Sequence, residues 1–404
     1  MQEEHFIVRE PLLNSHERVL GYELSWQRKG DRAARPGDAE ALSLARFVAG
    51  QINETESATP LGEQLLFLAA TPALLKGQAF SGLPKKRTVL AIQACDLTAQ
   101  ETVTALKVLR KQGFGISLRD ANPSTVDKSL LPFLTHIEIP GGASDFAAQV
   151  RQYRAFDLPS MRLVARQVAD WEQYDLCASM GMDAFAGNLH LTQRQNSQPR
   201  ELNPTQTMIL QLMDLVRNGA DVRQLESGLK HDAALSYKLL RYINSAGFGL
   251  GCEIQSLRHA VTLLGYSPLY RWLALLTATT TTTGYSPVLM QAAVVRGRFA
   301  ELLGQSFLPK SEAENLFVAG LFSLLDRLLG IPMEDVLEKI QLSDAVSEAL
   351  LSRQGIYGPF VALAEACELN TQDIASMAAA LCIDAMHVNQ AHLAALAWAQ
   401  DLHL

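Results

Sequence analysis

Through the first half of the chain, short apolar runs alternate with longer segments of mixed polarity. The runs HFIVREPLL, VLGYELSW, LLFLAAT, RTVLAIQA, FGISLRD, THIEIP, MRLVARQ and DAFAGNL are rich in β-branched and aromatic residues and read as strands. Between them, residues 38–53, 98–112, 143–156 and 171–180 repeat apolar positions every three or four residues, as Leu42, Ala45 and Ala49 do, and read as helices. Strand and helix in regular alternation predict a mostly parallel sheet, and about seven or eight such strands suit a closed TIM-like (β/α) barrel. In that fold the chemistry sits where the strands end, at the C-terminal face.

The texture changes after residue 190. Residues 191–204, LTQRQNSQPRELNP, are polar, contain two prolines and lack apolar periodicity, which marks a linker. Beyond it, residues 206–217, 233–244, 257–264, 288–303, 312–328 and 342–351 all carry a helical repeat. Gly219, Gly247, Gly265, Gly284, Gly304 and Gly330 follow these runs, where a left-handed C-terminal residue is wanted. The threonine run 279–283 reads as a helix end packed on its neighbours. The expectation is an α/β barrel domain over 1–190, a linker over 191–204 and an all-α domain over 205–404.

Composition narrows the function classes. With 404 residues, 48% of them apolar and 19% charged, the chain is globular and long enough for two cores. A net charge of −7 gives no long-range attraction to nucleic acid or anionic lipid. The start, MQEEHFIVREPLL, has no leader pattern, and no apolar run is long enough to span a bilayer, so no membrane partner is expected and the protein is placed in the cytoplasm. Five scattered cysteines, with no C-x-x-C pair, read as buried thiols in a reducing compartment.

The opening PLL…GYELSW resembles the first two strands of EAL domains, the TIM-barrel phosphodiesterases that linearise cyclic di-GMP. The second half, with DAALSYKLLRYINSAGF and IQSLRHAVTLLGYSPLYRWL, resembles the all-helical HDOD domain, a modified relative of HD and HD-GYP phosphohydrolases. Together these imply a bacterial EAL-HDOD signal-transduction protein.

The resemblance also implies where a catalytic site should lie. Hydrolysis in EAL domains needs a pair of divalent cations held by converging carboxylates. Glu23 matches the signature glutamate and Asp120 the second acid of an Asp-Asp pair. The other expected positions are replaced: Gln27 stands for a phosphate-binding arginine, with Arg28 one residue on; Ala69 for an asparagine; Ala91 for a glutamate; Arg119 for the first acid of the pair; Glu138 for a lysine; and Arg166 opens the stretch that should read Glu-Gly-Val-Glu. Two arginines would put positive charge where cations should sit, so Glu23 is expected to be a remnant paired with Arg119 or Arg166.

In the helical half, Asn244-Ser245-Ala246 and the later Gly265 match the HDOD pattern, while Ser323-Leu324 stand where an HD dipeptide would be. The literal His231-Asp232 opens a helix, where Asp232 serves as a cap or first-turn acid. The resulting expectation is a degenerate, catalytically inactive EAL-like domain joined to a modified HD domain, with no metal or cofactor, acting on other signalling proteins or as a homo-oligomer. The alternative is a non-hydrolysing receptor in which Arg28, Arg119 and Arg166 contact the phosphates of cyclic di-GMP or another nucleotide.

Overall fold

The structure, a computed structural model, describes residues 5–27, 35–54, 62–192, 204–229, 233–244, 254, 256–279, 287–340, 342–370 and 373–402. The chain divides into two compact units, one of residues 1–195 together with 367–370, the other of residues 196–366 together with 371–404.

The first unit is a closed barrel of eight strands in sequence order: β1 (Ile7–Leu13), β2 (Val19–Trp26), β3 (Leu65–Ala69), β4 (Thr88–Gln93), β5 (Gly115–Arg119), β6 (His136–Pro140), β7 (Arg162–Arg166) and β8 (Ala184–Ala186). Strands β2 to β8 run parallel, but β1 is antiparallel to both of its neighbours, pairing Glu10 with Glu23 on one side and Leu12 with Ala186 on the other. β1 and β2 are antiparallel because they are joined by the tight turn at 14–18, where the Asn14 side-chain oxygen accepts from the His16 and Arg18 amides.

Strands in such a barrel are covered on both faces, which is why they read as nearly unbroken apolar runs. Leu12, Phe67, Val89, Val164, Ala184 and Ala186 meet in its interior. Gly21 opposes Leu65 across β2 and β3, and a Cβ there would lie 2.1 Å from the Leu65 carbonyl oxygen, so no side chain fits.

The second unit is helical. Pro287–Gly304 packs against Lys310–Phe322 and Ala385–Asp401, burying Phe299, Leu303, Phe317 and Leu396 completely. Gly219, Gly265 and Gly330 have positive φ (66°, 85° and 69°), and Gly330 caps Leu325–Leu329 in the left-handed conformation. Gly304, expected to follow a helix, is instead its last residue, and a Cβ there would lie 2.2 Å from Leu316 Cδ1, so the leucine would have to move. The single helix expected over 312–328 is two, Lys310–Phe322 and Leu325–Leu329, broken at Ser323-Leu324. Gly247, Gly284, most of the linker and most of the threonine run lie outside the described residues. Among the described residues no helix is long and apolar enough to cross a membrane.

Candidate functional site

The parallel strands of the barrel end around a cavity of about 450 Å³, lined among others by Glu10, Glu23, Arg119, Asp120, Glu138 and Arg166. Strand register brings these residues together. Arg119 and Glu138 are directly opposed across β5 and β6, Glu10 and Glu23 across β1 and β2, and Arg166 closes β7 beside Pro140.

The charged side chains interleave. Arg119 Nε lies 2.8 Å from Glu138 Oε2, and Arg119 Nη2 lies 2.8 Å from Glu23 Oε1. Arg166 Nη1 is 2.8 Å from Glu138 Oε2 and 3.1 Å from Glu23 Oε2, while Arg166 Nη2 faces Glu10 Oε2 at 3.8 Å. The Ser117 hydroxyl, two residues before Arg119 on the same strand, donates to Glu138 Oε1 at 2.6 Å. Each of Glu23 and Glu138 thus bridges both guanidiniums.

This arrangement fixes the charges. Burial works against ionising Glu138, whose side chain is only 3% exposed, but Arg119, Arg166 and the Ser117 hydroxyl outweigh it and hold the carboxyl at about 2. Burial likewise opposes the Arg166 cation, and Glu23, Glu138 and Glu10 overcome it, so its affinity for the proton is raised. Glu10 goes the other way: burial pushes its carboxyl up, Arg166 resists, and Glu23 adds to the rise.

The backbone around the site is held as well. The Gly141 amide donates to the Arg166 carbonyl at 2.7 Å, and Tyr153 Oη donates to the Ala121 carbonyl at 3.0 Å, one residue past Asp120. Asp120 itself is exposed, with φ of 51°, and lines the cavity without an ion pair to either arginine.

The remaining positions singled out in the sequence contribute less. Ala69 and Ala91 are neighbours across β3 and β4 and offer only methyl groups. Gln27 follows β2, its amide donating to the Phe6 carbonyl at 2.7 Å. Arg28 lies outside the described residues. Sequence reasoning gave no role to Glu10 or Ser117; the signal for Ser117 was its place two residues from Arg119, on the same face of β5.

The fit of this donor set to a pair of divalent cations is poor. Both Glu23 oxygens and Glu138 Oε2 already face guanidiniums, whose charge opposes a second cation in the same space, and Glu138 Oε1 accepts from Ser117. Among the described residues no group of three or more His, Cys, Asp or Glu side chains is arranged to hold a metal ion.

In the helical unit, Asn244 Oδ1 accepts from the Ile254 amide at 2.7 Å and Asn244 Nδ2 donates to the Ile254 carbonyl at 2.8 Å, so the side chain pairs as a backbone strand would. Gly265 ends Leu257–Leu264, its amide donating to Val261 at 2.9 Å. Ser245, Ala246 and the His231-Asp232 dipeptide lie outside the described residues. Ser323 Oγ donates to the Gly320 carbonyl at 2.7 Å and accepts from Arg296 Nη1 at 2.9 Å, while Leu324 is fully buried. Arg296 also pairs with Glu365 at 2.8 Å, and Glu365 takes a two-pronged contact from Arg353 at 2.8 and 2.9 Å. A guanidinium therefore stands beside Ser323 too.

The HDOD domain profile matches residues 202–346. The eight-stranded barrel precedes the matched stretch. The chain is 25% identical to the cyclic di-GMP phosphodiesterase CdgJ of Vibrio cholerae serotype O1, over 98% of this chain and 93% of that protein. Among solved structures it is similar to the EAL domain of Mycobacterium smegmatis DcpA (19% identity, TM-score 0.35, 45% of this chain and 90% of that one) and to a Klebsiella pneumoniae BlrP1 calcium/cy-diGMP complex (17% identity, TM-score 0.38, 46% and 55%). The full-length relative overturns one expectation. The loss of metal ligands had suggested that the chain is not an enzyme, whereas a relative aligned along nearly its whole length is named a phosphodiesterase, which points to an enzyme. That expectation equated one missing set of ligands with missing activity.

Proposed function

We propose that this is a cyclic di-GMP signalling protein whose barrel mouth takes the dinucleotide at the Arg119–Arg166 site. The observation that carries the proposal is the pair of guanidiniums at the strand ends, opening onto a cavity of about 450 Å³. Guanidinium forks match phosphate oxygens in shape and charge. The name of the full-length relative supports cyclic di-GMP as the ligand and opening of its ring as the reaction to assay.

The HDOD half passes the signal to a protein partner, a role supported by the exposed Tyr237 and Leu263 on two of its helices. The free thiols of Cys95, Cys177, Cys367 and Cys382 suit a reducing compartment such as the cytoplasm. Equilibrium dialysis of the full chain against labelled cyclic di-GMP, with chromatography of the nucleotide afterwards, tests the central part. Saturable uptake is expected; neither uptake nor linear product would overturn it.

A further inference from the structure

The two arginines of the barrel mouth are not held alike. Arg119 donates from Nε to Glu138 at 2.8 Å, its Nη2 faces Glu23 as an ion pair without an aligned hydrogen bond, and its side chain is 12% exposed. Arg166 is 21% exposed; its Nη1 is shared between Glu23 and Glu138, and Nη2 has Glu10 at 3.8 Å, beyond hydrogen-bonding distance. An oxyanion entering the cavity gains a charge-assisted hydrogen bond from Arg166 Nη2 while displacing only the loosest contact of the cluster. Arg119 is less open to such a ligand, its side chain being 12% exposed and its Nε held by Glu138 at 2.8 Å.

A divalent cation faces the opposite situation. Glu23 and Glu138 could accept it only by releasing guanidiniums that would then be left without counter-charges in a largely buried site. The protein's own cations thus already occupy the space between the carboxylates, and they are covalently attached.

We infer that Arg166 is the contacting arm of an oxyanion site that works without divalent cations, with Arg119 and the two glutamates forming the frame that aims it. This rests on the proposal that cyclic di-GMP enters the barrel mouth. The phosphate would lie against Arg166 on the side of Glu10.

Calorimetric titration of the full chain with cyclic di-GMP, once in EDTA and once in excess Mn²⁺, separates the two claims. The expected result is the same affinity in both buffers within about twofold, and a loss of about tenfold in EDTA for Arg166→Lys, which keeps the charge of the cluster but removes the fork. Circular dichroism melting of the variant confirms that it is folded; if it is not, Arg166→Gln takes its place. Binding that requires Mn²⁺ would overturn this inference and leave the proposed function standing. Wild-type affinity of the folded variant in EDTA would overturn the role of Arg166. Binding in neither buffer would overturn both.

Discussion

Arg119 Nε stands 2.8 Å from Glu138 Oε2, across a strand pair whose register sets the two residues side by side. Buried contacts of this kind add little net stability when complete but cost much when half removed, because the surviving charge cannot return to water.

Glu138→Ala should therefore destabilise the barrel by about 3–5 kcal/mol, since both guanidiniums lose a shared counter-charge. Urea unfolding measures this. As a control, Glu101→Ala removes the exposed Lys76–Glu101 contact of 2.5 Å and should leave the midpoint where it was.

The acid limb of stability should report the same residue. Glu138 is held at about 2, against an ordinary 4.5, so it binds a proton less readily folded than unfolded. Its contribution is complete above about 4.5 and is lost as pH falls toward 2. Unfolding midpoints between those limits should fall more steeply for the wild type than for Glu138→Gln. Parallel curves would contradict the ion-pair account.

Glu10 should behave with the opposite sign. Its carboxyl is pushed up, so the folded state pays to ionise it, and that cost appears as pH rises through and above the unfolded value. Glu10→Gln should raise the melting temperature at pH 7 and change it little at pH 4.

Much of the fold can be read from the chain, for a physical reason. Doubly covered strands need continuous apolar runs and packed helices need a three-to-four repeat, and both leave marks in one sequence. The mark of the reversed β1 lies in the connection and not in the strands: residues 14–18 between β1 and β2 are too few for a parallel crossover, while the apolar content of a strand buried on both faces is the same either way. The break at Ser323 was hidden: apolar spacing continues across it, while the backbone leaves the helix at Leu324, with φ −114° and ψ 8°. At the site, Arg119 and Arg166 stood out as cations among expected acids. The part of Glu138 did not, since its importance lies in being opposite Arg119, which strand register alone decides.

In the helical unit, Asn244 should matter through its backbone-like pairing. Asn244→Ala leaves the amide and carbonyl of Ile254 without their partner, at a cost of about 1–3 kcal/mol. Amide exchange at Ile254 should accelerate, while exchange in the barrel stays unchanged.

Gly320 sits where Lys310–Phe322 crosses Pro287–Gly304, and a Cβ there would meet the Arg296 carbonyl oxygen and the Gly297 Cα, each at 2.8 Å. Backbone cannot yield as a side-chain tip can. Gly320→Ala should cost about 1–3 kcal/mol in urea unfolding, as overpacking does elsewhere.

The central claim is that the dinucleotide binds at the guanidinium pair, and a crystal structure of the full chain grown with cyclic di-GMP and EDTA tests it most directly. The account predicts a phosphate oxygen within hydrogen-bonding distance of Arg166 in the barrel mouth, with Glu23 and Glu138 still joined to Arg119. Cyclic di-GMP bound elsewhere, or in the mouth with no phosphate near Arg166, would contradict it.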